Sequence, residues 1–124
     1  MKKILLIDDD REDAEIFRDA LETVNPAAAF YWIDGSGEIK SIIGKTVPIP
    51  DLIFLDINLI RTTGWDWLNM LKGEPAFSSI PVVMYTTSNR AEEKERAGDL
   101  GAIAFVTKPN SYTDLETALA SLVI

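Results

Sequence analysis

The stretch from Asp51 to Gly64 reads DLIFLDINLIRTTG, and its reading decides the fold. Leu52 to Leu55 is a run of four apolar residues after the turn-forming Pro48, Pro50 and Asp51, the pattern of a short strand buried on both faces. A carboxylate, Asp56, ends the run, and Asn58, Thr62, Thr63 and Gly64 follow as loop residues. Asp56 is thereby expected at the carboxyl end of a central strand, the edge of an open α/β sheet where ligands bind. On this segment alone, an Asp that merely caps a loop is an equal reading, because Asp commonly bonds nearby backbone amides.

Working outward, the same strand-then-acid pattern recurs at the start of the chain. Lys3 to Ile7 is an apolar run stopped by Asp8, Asp9 and Asp10. Arg11 to Val24 then carries Ile16, Phe17, Ala20, Leu21 and Val24 at the spacing of one helical face, with Asp10, Glu12 and Asp13 near its start, where the helix dipole favours negative charge. Asn25 and Pro26 end that helix. Ala29 to Ile33 is an aromatic-rich strand, Asp34 to Gly37 a turn, and Glu38 to Ile43 a weak helix halted by Gly44.

On the other side of Gly64, Trp65 to Lys72 reads as a helix with Leu68 and Leu71 inward. Trp65 and Trp67, two positions apart, are not expected to face inward together, which leaves Trp67 partly exposed. Pro81 to Tyr85 is a further buried strand, followed by Thr86, Thr87 and Ser88. Arg90 to Leu100 is a charged helix whose Gly98 costs about 1 kcal/mol relative to Ala, and Gly101 suits its C-terminal cap. Ala102 to Val106 forms the last strand, which the chain leaves through Thr107, Lys108, Pro109 and Asn110. Thr113 and Glu116 have the form of a capping box opening a final helix that buries Leu115, Leu119 and Leu122.

Five strands alternating with five helices predict an α/β fold of the flavodoxin-like, doubly wound type. Its sheet would be parallel, five-stranded, in the order 2-1-3-4-5, with helices on both faces and right-handed crossovers. In that order the ends of the first and third strands are neighbours, so Asp8 and Asp9 would meet Asp56 across one crevice.

Composition narrows the chemistry. A chain of 124 residues is expected to form one domain over 1–124, with no space for a second module. No apolar run approaches the roughly 20 residues of a membrane helix, and the opening MKKILLID is too short and too acidic for a signal-peptide core, so a cytoplasmic protein is expected. The absence of both cysteine and histidine excludes disulfides, thiol chemistry, the usual zinc sites and imidazole bases. A formal charge of -8 argues against nucleic acid or an anionic membrane as partner and favours a protein or a cation.

Three converging carboxylates need an answer, since two unit charges about 4 Å apart repel by about 4 kcal/mol at an effective dielectric near 20. Either one carboxylate takes up a proton or a hard divalent cation binds among them, and magnesium (Mg2+) fits, because it accepts one or two carboxylates and keeps waters and phosphate oxygens. Asp10 is better read as a solvated helix N-terminus. Thr86 ends the fourth strand and Lys108 follows the fifth, which adds a hydroxyl donor and an ammonium to the same rim. Each alone is an ordinary strand-end or surface residue. Together with a carboxylate nucleophile and a cation they are the parts needed to accept and hold a phosphoryl group.

The chain resembles a response-regulator receiver domain of two-component signalling. The resemblance covers essentially all 124 residues and rests on the ordered set of LIDDD, DLIFLDINL, PVVMYTTS, the Lys108-Pro109 pair after AFVT, and Gly101-Ala102 before the last strand. It implies that Asp56 is the phospho-acceptor, Asp9 a direct Mg2+ ligand, Asp8 a ligand through water, and Asn58 a ligand through its backbone carbonyl. It further implies that Thr86 is the switch hydroxyl and that Lys108 pairs with the acyl phosphate. Phe105 matches the switch aromatic, with an ordinary sheet aromatic as the plain alternative, and Pro109 matches a cis proline. Implied partners are a sensor histidine kinase or phosphotransfer protein and a downstream protein target. The only reactions implied are the chain's own phosphorylation and dephosphorylation. Ile60 stands where many members have Pro, Thr63 where they have Asp, and Thr87 is bulkier than the common Ala or Gly, which implies a differently shaped loop and narrower access.

Two other functions remain open at this point. The INLIRTTG loop motivates a pseudo-receiver that binds a protein without being phosphorylated. A strand-end nucleophile beside a cation site motivates an aspartyl phosphatase, although Asn58 stands where a second acid would be needed.

Overall fold

The computed structural model describes residues 2–123. Its elements run β1 (Lys3–Ile7), α1 (Arg11–Val24), β2 (Ala29–Ile33), α2 (Ile39–Ile42), β3 (Leu52–Leu55), α3 (Gly64–Gly73), β4 (Val82–Thr86), α4 (Ala91–Asp99), β5 (Ala104–Thr107) and α5 (Tyr112–Leu122). The five strands make one parallel sheet in the order β2-β1-β3-β4-β5. This is the flavodoxin-like, doubly wound arrangement expected from the alternation of elements. No described helix is long and apolar enough to cross a membrane.

Apart from Lys3 at the start of β1 and Thr86 at the end of β4, the three central strands are apolar because both of their faces are covered, and the side-chain alternation sends successive residues to different cores. Leu5, Ile7, Ile53, Leu55, Val82 and Met84 pack with Trp67, Leu68 and Leu71 of α3 and Ala97 of α4. Ile4, Leu6, Leu52, Phe54, Val83 and Tyr85 pack with Phe17 and Leu21 of α1 and Leu115 and Leu119 of α5. In the second core Phe17 meets Phe54 and Tyr85 edge-on, with centroids 4.9 and 5.4 Å apart, a favoured geometry for aromatic pairs.

Several local expectations are corrected. Trp67 is fully buried rather than partly exposed, and Trp65 is buried as well. Residues two apart on a helix lie about 200° apart round its axis, so these rings occupy opposite flanks of α3. There the Trp67 indole N–H donates to the Gly35 carbonyl (2.9 Å), and Trp65 is covered by the Arg96 guanidinium of α4, 4.4 Å from the ring centroid. Ile16, expected inward, is 39% exposed, because the buried stripe of α1 runs through Ala14, Phe17, Ala20 and Leu21 instead. Val24 and Leu122 are only half-buried.

The cap of α5 is Ser111, whose hydroxyl accepts the Asp114 N–H (3.2 Å), and Thr113 lies inside the first turn. Ser111 and Asp114 are three apart, so the hydroxyl-to-amide half of the expected cap is formed two residues earlier, at Ser111 in place of Thr113. α2 is shorter than expected, and β5 begins two residues late. The Ala102 N–H is spent on the Ala97 carbonyl (2.9 Å) and the Gly101 N–H on that of Gly98 (3.1 Å), which together close α4 with Gly101 at φ +100. Every described peptide bond is trans, the one before Pro109 included, against the expected cis proline. Trans is the favoured isomer of an X–Pro bond by about 0.5–1 kcal/mol.

Candidate functional site

The ladder brings the acids together. The Asp56 N–H donates to the Ile7 carbonyl (2.9 Å), which fixes the end of β3 against the end of β1 and the DDD run that follows it. Asp8, Asp9 and Asp56 each offer a carboxylate oxygen, and these oxygens all lie within 4.8 Å of one another. Asp8 is fully buried and Asp56 nearly so, whereas Asp9 is half-buried toward the mouth. A polar cavity lined by Asp9, Asp34, Ser36, Gly37, Ile60 and Arg61 opens beside them.

Backbone donors orient the two deep carboxylates. Asp8 Oδ1 accepts the Asp10 N–H (2.9 Å), and Asp56 Oδ1 accepts the Asn58 N–H (3.2 Å). From the edge strand β2, the Trp32 indole N–H donates to the Asp8 carbonyl (2.6 Å) and holds the backbone at that corner. Gly64 lets α3 start hard against this site. A Cβ there would sit 2.1 Å from the Asp56 carbonyl oxygen, so only glycine fits without moving the acid. Thr63 caps α3 by accepting the Asp66 N–H (3.3 Å), and Thr62 donates to the Asp66 carboxylate (3.2 Å). The loop with unusual residues is therefore a capped one, with Asn58 bridged to Thr63.

Lys108 enters from the end of β5, where its N–H is tied to the Thr86 carbonyl (2.7 Å). Its ammonium donates to Asp8 (2.7 Å), Asp13 (2.8 Å) and Asp56 (3.1 Å), and it lies 5.5 Å from the Tyr85 ring centroid. Burial disfavours the lysine charge, but the bonds to Asp13 and Asp8 and the charges of Asp8 and Asp56 outweigh it and hold the pKa above the ordinary lysine value. Asp8 is affected in the opposite sense: burial pushes its carboxyl up to about 6, although Lys108 and the Asp10 N–H pull it down. Four carboxylates, those of Asp8, Asp9, Asp13 and Asp56, thus share this corner with the single ammonium of Lys108.

Thr86 is fully buried, and its hydroxyl finds no hydrogen-bond partner among the described residues. An unmade bond at a buried hydroxyl costs about 1–3 kcal/mol, so an oxygen-rich group arriving beside it would be held. Phe105 pairs in register with Met84 and is half-buried against the α3 and α4 core, near but not among the acids. Asp13 is the residue that sequence reasoning missed. It reads as one more acid at a helix start, and nothing local marks its bond to a lysine 95 positions away.

The family model described as the response regulator receiver domain matches residues 4–120. The chain belongs to that family. The receiver domain is 29% identical to response regulator Rcp1 of Synechocystis sp., over 92% of this chain and 81% of that one. The chain spans 25% of the length of a probable cyclic di-GMP phosphodiesterase of Vibrio cholerae and 86% of that of the polar-differentiation response regulator DivK of Brucella ovis, both similar to it. Among solved structures, that of the phosphorylated cyanobacterial phytochrome response regulator RcpA is similar with a TM-score of 0.85 and 25% identity, covering 98% of this chain and 90% of that one. The Mn(2+)-bound form of Rcp1 is similar with a TM-score of 0.79 and 26% identity, covering 98% and 91%. The acid triad of this receiver domain is the type of pocket in which receivers bind metal, and with Lys108 it is consistent with phospho-acceptor signalling.

Proposed function

We propose that the chain is a phosphorelay receiver: Asp56 accepts a phosphoryl group from the phosphohistidine of a sensor histidine kinase or phosphotransfer protein, with Mg2+, and a protein-binding face is switched as a result. The observation that carries this reading is the Lys108 ammonium 3.1 Å from Asp56, in a pocket where three carboxylates converge. A nucleophilic oxygen and a fixed cation side by side are what in-line phosphoryl transfer requires, because catalysis there is positioning and charge neutralisation.

The chain's own residues divide the work. An Asp56 oxygen forms the new P–O bond as the P–N bond of the donor breaks and its electron pair leaves on the imidazole. The Asn58 N–H keeps the carboxylate turned toward the pocket, and Lys108 shifts from the carboxylate to a phosphoryl oxygen. The Thr86 hydroxyl, which has no partner among the described residues, donates to another. That movement frees space toward Phe105 and re-packs the face made by α4, β5 and α5, which a downstream protein reads. Water later removes the group by hydrolysis.

The donor set is all oxygen, as a hard divalent cation requires, and Asp8, Asp9 and Asp56 with the Asn58 carbonyl would hold Mg2+. When bound, the ion offsets the negative charge on the transferring group. The Mn(2+)-bound state of Rcp1 and the phosphorylated state of RcpA support both halves of this reading by likeness. We further propose that the chain acts in the cytoplasm as one domain, and that neither nucleic acid nor membrane is its partner.

The test is incubation with acetyl phosphate and Mg2+ followed by intact mass measurement. The wild type is expected to gain one phosphoryl group and Asp56→Asn none. A wild type without an adduct, or an adduct unchanged in Asp56→Asn, overturns the proposal.

A further inference from the structure

The ammonium of Lys108 has three hydrogens, and each goes to a different carboxylate: Asp8, Asp13 and Asp56. Asp8 and Asp56 belong to the converging triad. Asp13 does not, and it is not needed to complete that triad. It sits in the first turn of α1, its N–H held by the side chain of the cap residue Asp10 (3.1 Å). Four residues on, Phe17 is fully buried, so Asp13 lies on the inward side of the helix, with its side chain about one-third exposed. The helix start is itself tied to the pocket, since the Asp10 N–H donates to Asp8.

We infer that Asp13 is a positioning residue that holds the Lys108 ammonium on the α1 side of the pocket, shielding the triad from the lysine charge and competing with an incoming phosphoryl group for the same N–H donor. The second half of this inference rests on the acceptor reading above, and the first half does not. Lys108 touches the Oδ2 atoms of Asp8 and Asp56, while the Oδ1 atoms of both already accept backbone N–H groups. Oxygen valences in the triad are therefore limited, and every hydrogen of Lys108 directed to Asp13 is one fewer competing with a cation. Loss of the Asp13 charge makes the pocket less attractive to a cation and leaves Lys108 freer for an anion. These two effects have opposite signs. A helix-start acid with only a structural role would move both affinities the same way or neither.

The experiment compares Asp13→Asn, which keeps size and an acceptor oxygen, with Glu12→Gln, which makes the same charge change on the exposed side of α1, and with Asp13→Glu. Mg2+ affinity is measured by calorimetric titration, and beryllofluoride affinity is measured at saturating Mg2+ as a stable phosphoryl mimic. In Asp13→Asn the Mg2+ dissociation constant is expected to rise about threefold or more and the beryllofluoride constant to fall by a similar factor. Glu12→Gln is expected to leave both within about twofold, and Asp13→Glu to restore both toward wild type. Constants that stay unchanged, or that move in the same direction, overturn the inference. If the wild type binds Mg2+ but no beryllofluoride, the acceptor reading is what fails, and the Mg2+ comparison alone decides the role of Asp13. A wild type that binds no Mg2+ overturns both.

Discussion

Lys108 and Asp56 are 52 positions apart in sequence and 3.1 Å apart in space, joined by a bond between an almost fully buried ammonium and an almost fully buried carboxylate. Removing one member of such a pair leaves the other uncompensated, which typically costs 3–5 kcal/mol. Because the carboxylates left behind can take up protons or a cation, Lys108→Ala is expected to destabilise the metal-free chain by about 2–4 kcal/mol at pH 7. The loss should be smaller at pH 5, and added Mg2+ should restore more stability than in the wild type. Thermal melts at the two pH values with and without Mg2+ check this.

Asp8 gives the pH dependence. Burial pushes its carboxyl up to about 6 from the ordinary aspartate value of about 3.8, so between those values the folded chain holds a proton that the unfolded chain has lost. Stability from this group therefore falls as pH rises from about 4 to about 6 and stays reduced above. Asp8→Asn keeps an acceptor for Lys108 and removes the buried charge. It is expected to raise metal-free stability at pH 7 by on the order of 1–2 kcal/mol, allowing for solvent at the pocket mouth. The same variant should lose most of the stabilisation by Mg2+. Urea unfolding at about pH 4 and about pH 7, at the foot of the window and above it, reads both effects.

Gly64 is a steric prediction. An added Cβ would lie 2.1 Å from the Asp56 carbonyl oxygen and 2.8 Å from Ile57 Cα, both backbone atoms that cannot swing aside. Gly64→Ala is expected to cost about 2 kcal/mol or more and to displace Asp56, so Mg2+ affinity should fall together with stability. Gly73→Ala, with nothing within 4 Å of its added Cβ, is the matched control on the same helix.

Trp67 tests the packing of α3. Trp67→Phe removes the bond to Gly35 and is expected to cost about 1–3 kcal/mol. Trp67→Ala also opens a cavity in the core and should cost about 3–5 kcal/mol. Denaturant midpoints at constant m-value provide the measurement.

The strands were legible because β1, β3 and β4 are covered on both faces and so appear as unbroken apolar runs, and the acids ending β1 and β3 stood out against them. Strand order followed from the alternation of elements, and with it the meeting of Asp8 and Asp9 with Asp56. What stayed hidden depends on neighbours. A one-face helical pattern predicts a single inward side, but α3 is flanked by the Gly35 turn and by Arg96, so both tryptophans are covered. The same pattern over-reads α1, where Ile16 falls beside the buried stripe and faces solvent. Asp13 was read as a dipole-favoured acid because its partner arrives from the far end of the chain. Thr113 with Glu116 matches the capping box in sequence, but the helix starts two residues earlier, with Ser111 as its cap.

The most direct test of the central claim is to find which residue carries the phosphoryl group. After reaction with acetyl phosphate and Mg2+, reduction with borohydride converts an acyl phosphate on aspartate into homoserine, which peptide mass mapping locates. The structure and its charges predict conversion at Asp56 alone. Conversion at Asp8, Asp9 or any other acid, or none at all, would contradict the account.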